Sequence, residues 1–138
     1  LSGFWDFGSD SQMTHMIYSG SIYDEFGATS RKTCGAPIQN IAAACLYNVI
    51  ADNGAWTDLM NGRVQKALSS NTVGWPATVT LGRSSSTYHM KGHIFEVRVY
   101  QGALPLWNRL WIEGEMAHKW GIQSSLPSGH PFYTTPPA

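Results

Sequence analysis

Trp56, Trp75, Tyr88 and His89 are the side chains whose types best suit ligand chemistry, because flat rings offer faces on which a sugar stacks. Trp75 precedes Pro76 in a loop, and Tyr88 lies in a Ser/Thr-rich connector. The same residues suit packing at the rim of a fold. Asp52, Asn53 and Asp58 carry the hard oxygens that calcium prefers, and they fit a turn and a hairpin equally well. Asp24 and Glu25 are neighbours, and in a strand they would point to opposite faces, so they cannot flank one glycosidic bond. His89 and His93 have a spacing seen in metal sites, but Gly92 and the strand-like residues after it keep the two rings off a common helical face. No Gly-x-Ser-x-Gly turn or Cys-His signature accompanies the serines and the five histidines. These patterns predict a non-enzyme with no catalytic residues and no metal or cofactor requirement, calcium being the alternative. Cys34 and Cys45 are too few for a disulfide framework and read as reduced thiols, a single bridge being the alternative.

The 138 residues suffice for one domain with one core. Nine basic and nine acidic side chains give zero net charge, and the longest basic run is Arg31-Lys32, so no electrostatic footprint for nucleic acid is present. The longest apolar run, Ile41 to Tyr47, is too short to span a bilayer, and a soluble protein is expected. Six Trp, six Tyr and five Phe are more ring surface than a core of this size absorbs, so some rings should face a partner. The chain opens on Leu1 rather than Met, as a processed chain or a piece of a longer polypeptide would.

Fourteen Gly and seven Pro favour a turn-rich, all-β fold over a helical bundle. Thr14–Tyr18 and Ser21–Phe26 flank Ser19-Gly20 and predict a hairpin. The polar stretch from Ala28 to Asn40 reads as a loop. Ile41–Ile50 is apolar on both alternating sets and predicts a central strand covered on both faces. Asn61-Gly62 separates two extended runs by two residues, the strongest short-range hairpin pattern, because a type I′ turn needs positive φ at both positions. Thr78–Leu81 predicts a strand fed by a loop, and Ser84 to Ser86 a connector. In His93–Tyr100, Phe95, Val97 and Val99 alternate with Glu96 and Arg98, which predicts a strand with one buried and one wet face. Helical spacing from 104 to 121 predicts a helix docked through Ile112, Met116 and Trp120, followed by an extended Pro-rich tail over 122–138.

Gly92–Leu104, then Glu113-Gly-Glu-Met-Ala-His-Lys-Trp-Gly121, then Ser125-Leu-Pro-Ser-Gly-His-Pro-Phe-Tyr133 resembles the closing stretch of laminin-G-like, concanavalin A-like lectin/glucanase domains of the phage and bacterial surface-protein type. The Trp56…Asn61-Gly62 hairpin and Leu81-Gly82 resemble the middle of that family, so the resemblance covers roughly residues 40 to 133. It implies an antiparallel jelly-roll β-sandwich over 1–138. In such domains further strands precede this region, and only Leu1–Asn40 are available for them, so strands are expected to be missing or supplied by a neighbouring chain.

The resemblance further implies a non-catalytic module of a virion (tail, fibre or capsid-decorating) or cell-surface protein, at the virion surface or outside the cell, serving assembly and receptor or glycan attachment. The implied partners are other copies of itself, neighbouring virion proteins and cell-surface glycan. A carbohydrate-binding lectin module of a secreted bacterial protein is the alternative, and a degenerate glycoside hydrolase a distant third. Retaining hydrolases of this fold need two carboxylates about 5 Å apart. The last predicted strand has Glu96 alone.

Overall fold

The computed structural model describes residues 2–9, 13–84 and 87–138. The chain is mostly β, with three antiparallel sheets and one C-terminal helix. In chain order the strands are β1 Ser2–Gly3, β2 Trp5–Asp6, β3 His15–Tyr18, β4 Ser21–Asp24, β5 Lys32–Gly35, β6 Tyr47–Asp52, β7 Ala55–Met60, β8 Arg63–Leu68 and β9 Thr80–Leu81. They form a four-stranded sheet β1-β3-β4-β5, a pair β2-β9, and a meander β6-β7-β8.

Turn chemistry sets both hairpins. Ser19 (φ 51°) and Gly20 (φ 81°) turn β3 into β4, and Asn61 (φ 47°) and Gly62 (φ 74°) turn β7 into β8, the two positive φ values that a type I′ turn requires. The meander puts Trp56, Asp58 and Met60 on one buried face by alternation. Ile22 of β4 and Cys34 of β5 meet Trp56 and Met60 in one cluster with Ala28, and Met16, Tyr47, Val49, Ala51 and Leu68 pack around it. Side chains of the four-stranded sheet and of the meander thus share one core.

Several elements differ from the sequence expectation. The stretch expected as a loop contains β5, which pairs with β4, because Lys32–Gly35 finds a free edge there. Ile41 to Ala44 turn instead of extending, Ala42 to Ala44 are exposed, and β6 stands at the edge of its sheet rather than its centre. Its apolar character on both faces is matched by side chains that are only half-buried from Tyr47 to Ala51. The alternating His93–Tyr100 segment joins no sheet among the described residues, and Phe95, Val97 and Val99 are exposed. Alternation assigns side chains to faces, but a strand also needs a neighbour on its edge. Here the polar set is the half-buried one, because Glu96 and Arg98 turn toward the helix.

The helix α1 runs Leu106–Lys119, with Pro105 immediately before its first residue and His118 and Lys119 complementing the dipole at its end. It docks through Glu113, Gly114 and Ala117, while Ile112 and Met116 are half-buried and Trp120 is 39% exposed. Gly114 is needed there, since an added Cβ would lie 2.5 Å from the Cβ of Phe132. The tail is not extended. It passes through a short 3-10 turn at Gln123–Ser125, and backbone bonds from His130 to Pro127 and from Tyr133 to His130 curl it against the helix. Leu126 is buried.

Glu113 fastens helix, tail and meander together. Its carboxylate is 1% exposed and accepts from Arg109 at 2.6 Å, from Asn48 of β6 at 2.5 Å and from His130 of the tail at 3.2 Å. The backbone N–H of Phe132 donates to His130 Nδ1, so Nε2 bears the hydrogen given to Glu113 and a neutral imidazole suffices. His118 Nε2 donates to the Phe132 carbonyl, and the Arg63 guanidinium donates to the Ser125 and Leu126 carbonyls. Structural duties for His118 and His130 follow from these bonds.

Two substitutions test these joints. Gly62→Val forces a β-branched residue to positive φ, and its Cβ would also press on Pro127 Cδ at 3.3 Å; the loss expected in chemical denaturation is on the order of 2 kcal/mol. Glu113→Ala leaves Arg109, Asn48 and His130 without their shared acceptor and should cost about 3 kcal/mol. A thermal midpoint unchanged by either substitution contradicts the corresponding joint.

Candidate functional site

A large concavity lies where the fold is open. A cavity of about 700 Å³ is bounded by the residues from Ile41 to Ala51, by the extended segment from Met90 to Tyr100, and by Ile112, Met116 and Trp120 of the helix region. Phe4, Trp5, Phe7 and Phe26 line it from the β2 side, where their rings form one aromatic cluster with Tyr47 at centroid separations of 4.2 to 6.1 Å. Two walls carry main chain without a neighbour on one side or both. β6 pairs with β7 on one edge only, and the 93–100 segment makes no backbone hydrogen bond with any described residue. The chemistry on offer is therefore apolar surface plus free main-chain N–H and C=O groups.

The extended segment is held in place from one side only, by charge. Arg98 forks onto Glu115 with contacts of 2.6 and 3.0 Å and bonds Glu96 at 2.8 Å, while Lys119 and the Trp120 indole N–H reach Glu96 at 3.0 and 2.9 Å. Lys119 first, then Trp120 and Arg98, hold the Glu96 carboxyl down at about 2. Glu96, Arg98 and Glu115 are half-buried and Lys119 is exposed, so solvent screens the pairs and they position the segment more than they stabilise it. Phe95 stacks near Trp120 at 5.2 Å.

The four residues expected to bind sugar are not brought together in one platform. Trp56 is fully buried, its ring in the core cluster and its indole N–H donating to the Phe26 carbonyl at 3.0 Å. Trp75 is 50% exposed and meets Phe26 edge-on at 5.3 Å. Tyr88 lies against His15 at 5.3 Å, and His89 is exposed and bridged to Arg83. A shallow depression of about 330 Å³ lined by Thr29, Ser30, Lys32 and Ser69 to Thr72 is the polar counterpart of the large cavity. Trp75 lines the large cavity and not this depression.

Asp52, Asn53 and Asp58 do not converge either. Asp52 is exposed and accepts the Asn53 N–H at 2.7 Å, whereas Asp58 is buried in the middle of β7. No group of three or more metal-ligating side chains occurs among the described residues. Cys34 and Cys45 are free thiols.

Sequence reasoning missed a buried polar chain. Tyr47 Oη lies 2.8 Å from Asp24 Oδ2 and 3.1 Å from Asp58 Oδ2, and Asp24 Oδ1 accepts from the Trp5 indole at 3.1 Å, the Thr14 hydroxyl at 3.2 Å and the Phe26 N–H at 2.7 Å. Burial pushes Asp24 up to about 6 against those donors, raises Asp58, and lifts Tyr47 well above the ordinary phenol value. The pattern was there to be found. Asp58 falls on the alternation of Trp56 and Met60, and Asp24 on that of Ile22, so both carboxylates occupy core positions.

No protein-family model, curated protein or solved structure matches this chain.

Proposed function

We propose that this chain is a non-catalytic assembly module, an antiparallel jelly-roll sandwich with one strand position left open, belonging to a virion or cell-surface protein. The observation that carries the proposal is the cavity of about 700 Å³ between two stretches of backbone that lack a neighbour, the β6 edge and residues 93–100, with Phe95, Val97 and Val99 exposed beside it. Apolar side chains and unpaired main chain on one concavity are what β-augmentation uses, in which an extended segment from elsewhere adds its own hydrogen bonds and side chains. The partner is another copy of this chain or a neighbouring polypeptide of the same assembly. The resemblance of residues 40 to 133 to laminin-G-like domains supports the virion or surface setting. The enclosure of Asp24 and Asp58 supports a non-catalytic reading, since no substrate reaches them.

Attachment to a cell-surface glycan is a second reading, favoured by Trp75, which is half-exposed and lines the large cavity with its ring. A glycan array separates the two, because binding that is lost in Trp75→Ala supports attachment.

Assembly is tested by light scattering at micromolar concentration on the unaltered chain and on Val97→Asp. The unaltered chain should form a stable oligomer. The substitution should weaken association by at least about tenfold, because a carboxylate would have to be buried in the contact, while circular dichroism stays unchanged. A well-folded monomer that binds no apolar dye overturns the proposal.

A further inference from the structure

We propose that the core holds one exchangeable proton, shared along Asp24, Tyr47 and Asp58, and that its loss loosens the four-stranded sheet from the meander. The three residues come from β4, β6 and β7, so the chain of oxygens crosses from one sheet to the other. A proton count carries the argument. The Tyr47 hydroxyl has one hydrogen, which it donates to Asp24 or to Asp58. The other contact, at 2.8 or 3.1 Å, is then oxygen against oxygen unless that carboxyl is an acid. Two ionised carboxylates about one hydroxyl in a water-poor core repel each other and leave one contact unbonded.

The surroundings decide where the proton rests. Asp24 Oδ1 already accepts three hydrogen bonds, from Trp5, Thr14 and Phe26, which favour its ionised form. The Cys34 thiol and the Lys66 backbone N–H also favour ionised Asp58, but its Oδ1 has no partner in hydrogen-bond geometry among the described residues, so it is the less well served of the two carboxyls. The arrangement is therefore Asp58 as acid donating to Tyr47, and Tyr47 donating to Asp24 as anion, although the titration belongs to the pair. Two other ionisable groups face it. The Cys34 thiol of β5 stays protonated, its pKa driven far up by burial, and Lys66 of β8 stands opposite Asp58 in register without a contact inside ion-pair range.

The sign of the pH dependence follows. Burial raises both carboxyls, so the folded state binds the proton more tightly than the unfolded chain does. The stabilisation is complete below the unfolded carboxyl range and is lost as pH rises through about 6, the value to which burial takes Asp24 and near which the pair gives up its shared proton.

Denaturant unfolding of the full 138-residue chain at pH 5 and pH 7.5 tests the inference against Asp58→Asn. An amide donates to Tyr47 at every pH. The unfolding equilibrium of the unaltered chain should shift toward the unfolded state by about tenfold over that interval, and Asp58→Asn should abolish most of the shift. Equal stability at the two pH values, or a variant that keeps the full shift, overturns the proposal. Infrared spectroscopy of the unaltered chain decides if the variant does not fold. A carboxylic-acid carbonyl band at pH 5.5 that vanishes by pH 8 is expected, and its absence overturns the proposal.

Discussion

A β-strand's backbone can satisfy its N–H and C=O groups only by lying beside another backbone or by staying wet, and most of this architecture follows from where that neighbour exists. β7 has one on each side and carries the core residues Trp56, Leu59 and Met60. β6 has one neighbour, and its residues from Tyr47 to Ala51 stay half-buried. Residues 93–100 have none among the described residues, and their apolar side chains stand exposed. Burial declines along that series as pairing does, and the cavity lies at its poor end.

Elements with local determinants were legible in the sequence. Positive φ at Asn61 and Gly62 needs only those two residues, and the helix needs only Pro105 and its apolar spacing. Elements whose form depends on a distant partner were not. Lys32–Gly35 looks like a loop until the edge of β4 is available to it. The helix looks as if it should dock by its large apolar side chains, yet Glu113 and Gly114 face inward, because Asn48, His130 and Phe132 arrive from far along the chain. Of the candidate sugar-binding residues, exposure was legible for Trp75 from its loop context and not for Trp56, whose strand faces the core.

The C-terminal region shows how a segment without sheet partners is still held. Glu113, Arg63 and His118 tie helix and tail to the meander and to each other through buried or half-buried bonds, while Arg98, Glu115, Glu96 and Lys119 hold the 93–100 segment from one side with solvent-facing pairs. The first set is buried or half-buried. The second leaves the other side of the segment free to accept a strand without dismantling anything that folds the rest.

Site-resolved hydrogen exchange is the most direct measure of that open strand position. In dilute solution the account predicts amides of residues 93–100 that exchange close to the rate of an unstructured chain, alongside strong protection from Trp56 to Leu68. At concentrations where the proposed assembly forms, the same amides should become protected. Protection of residues 93–100 equal to that of the β7–β8 hairpin in the dilute monomer would contradict it, because the segment would then already have its neighbour.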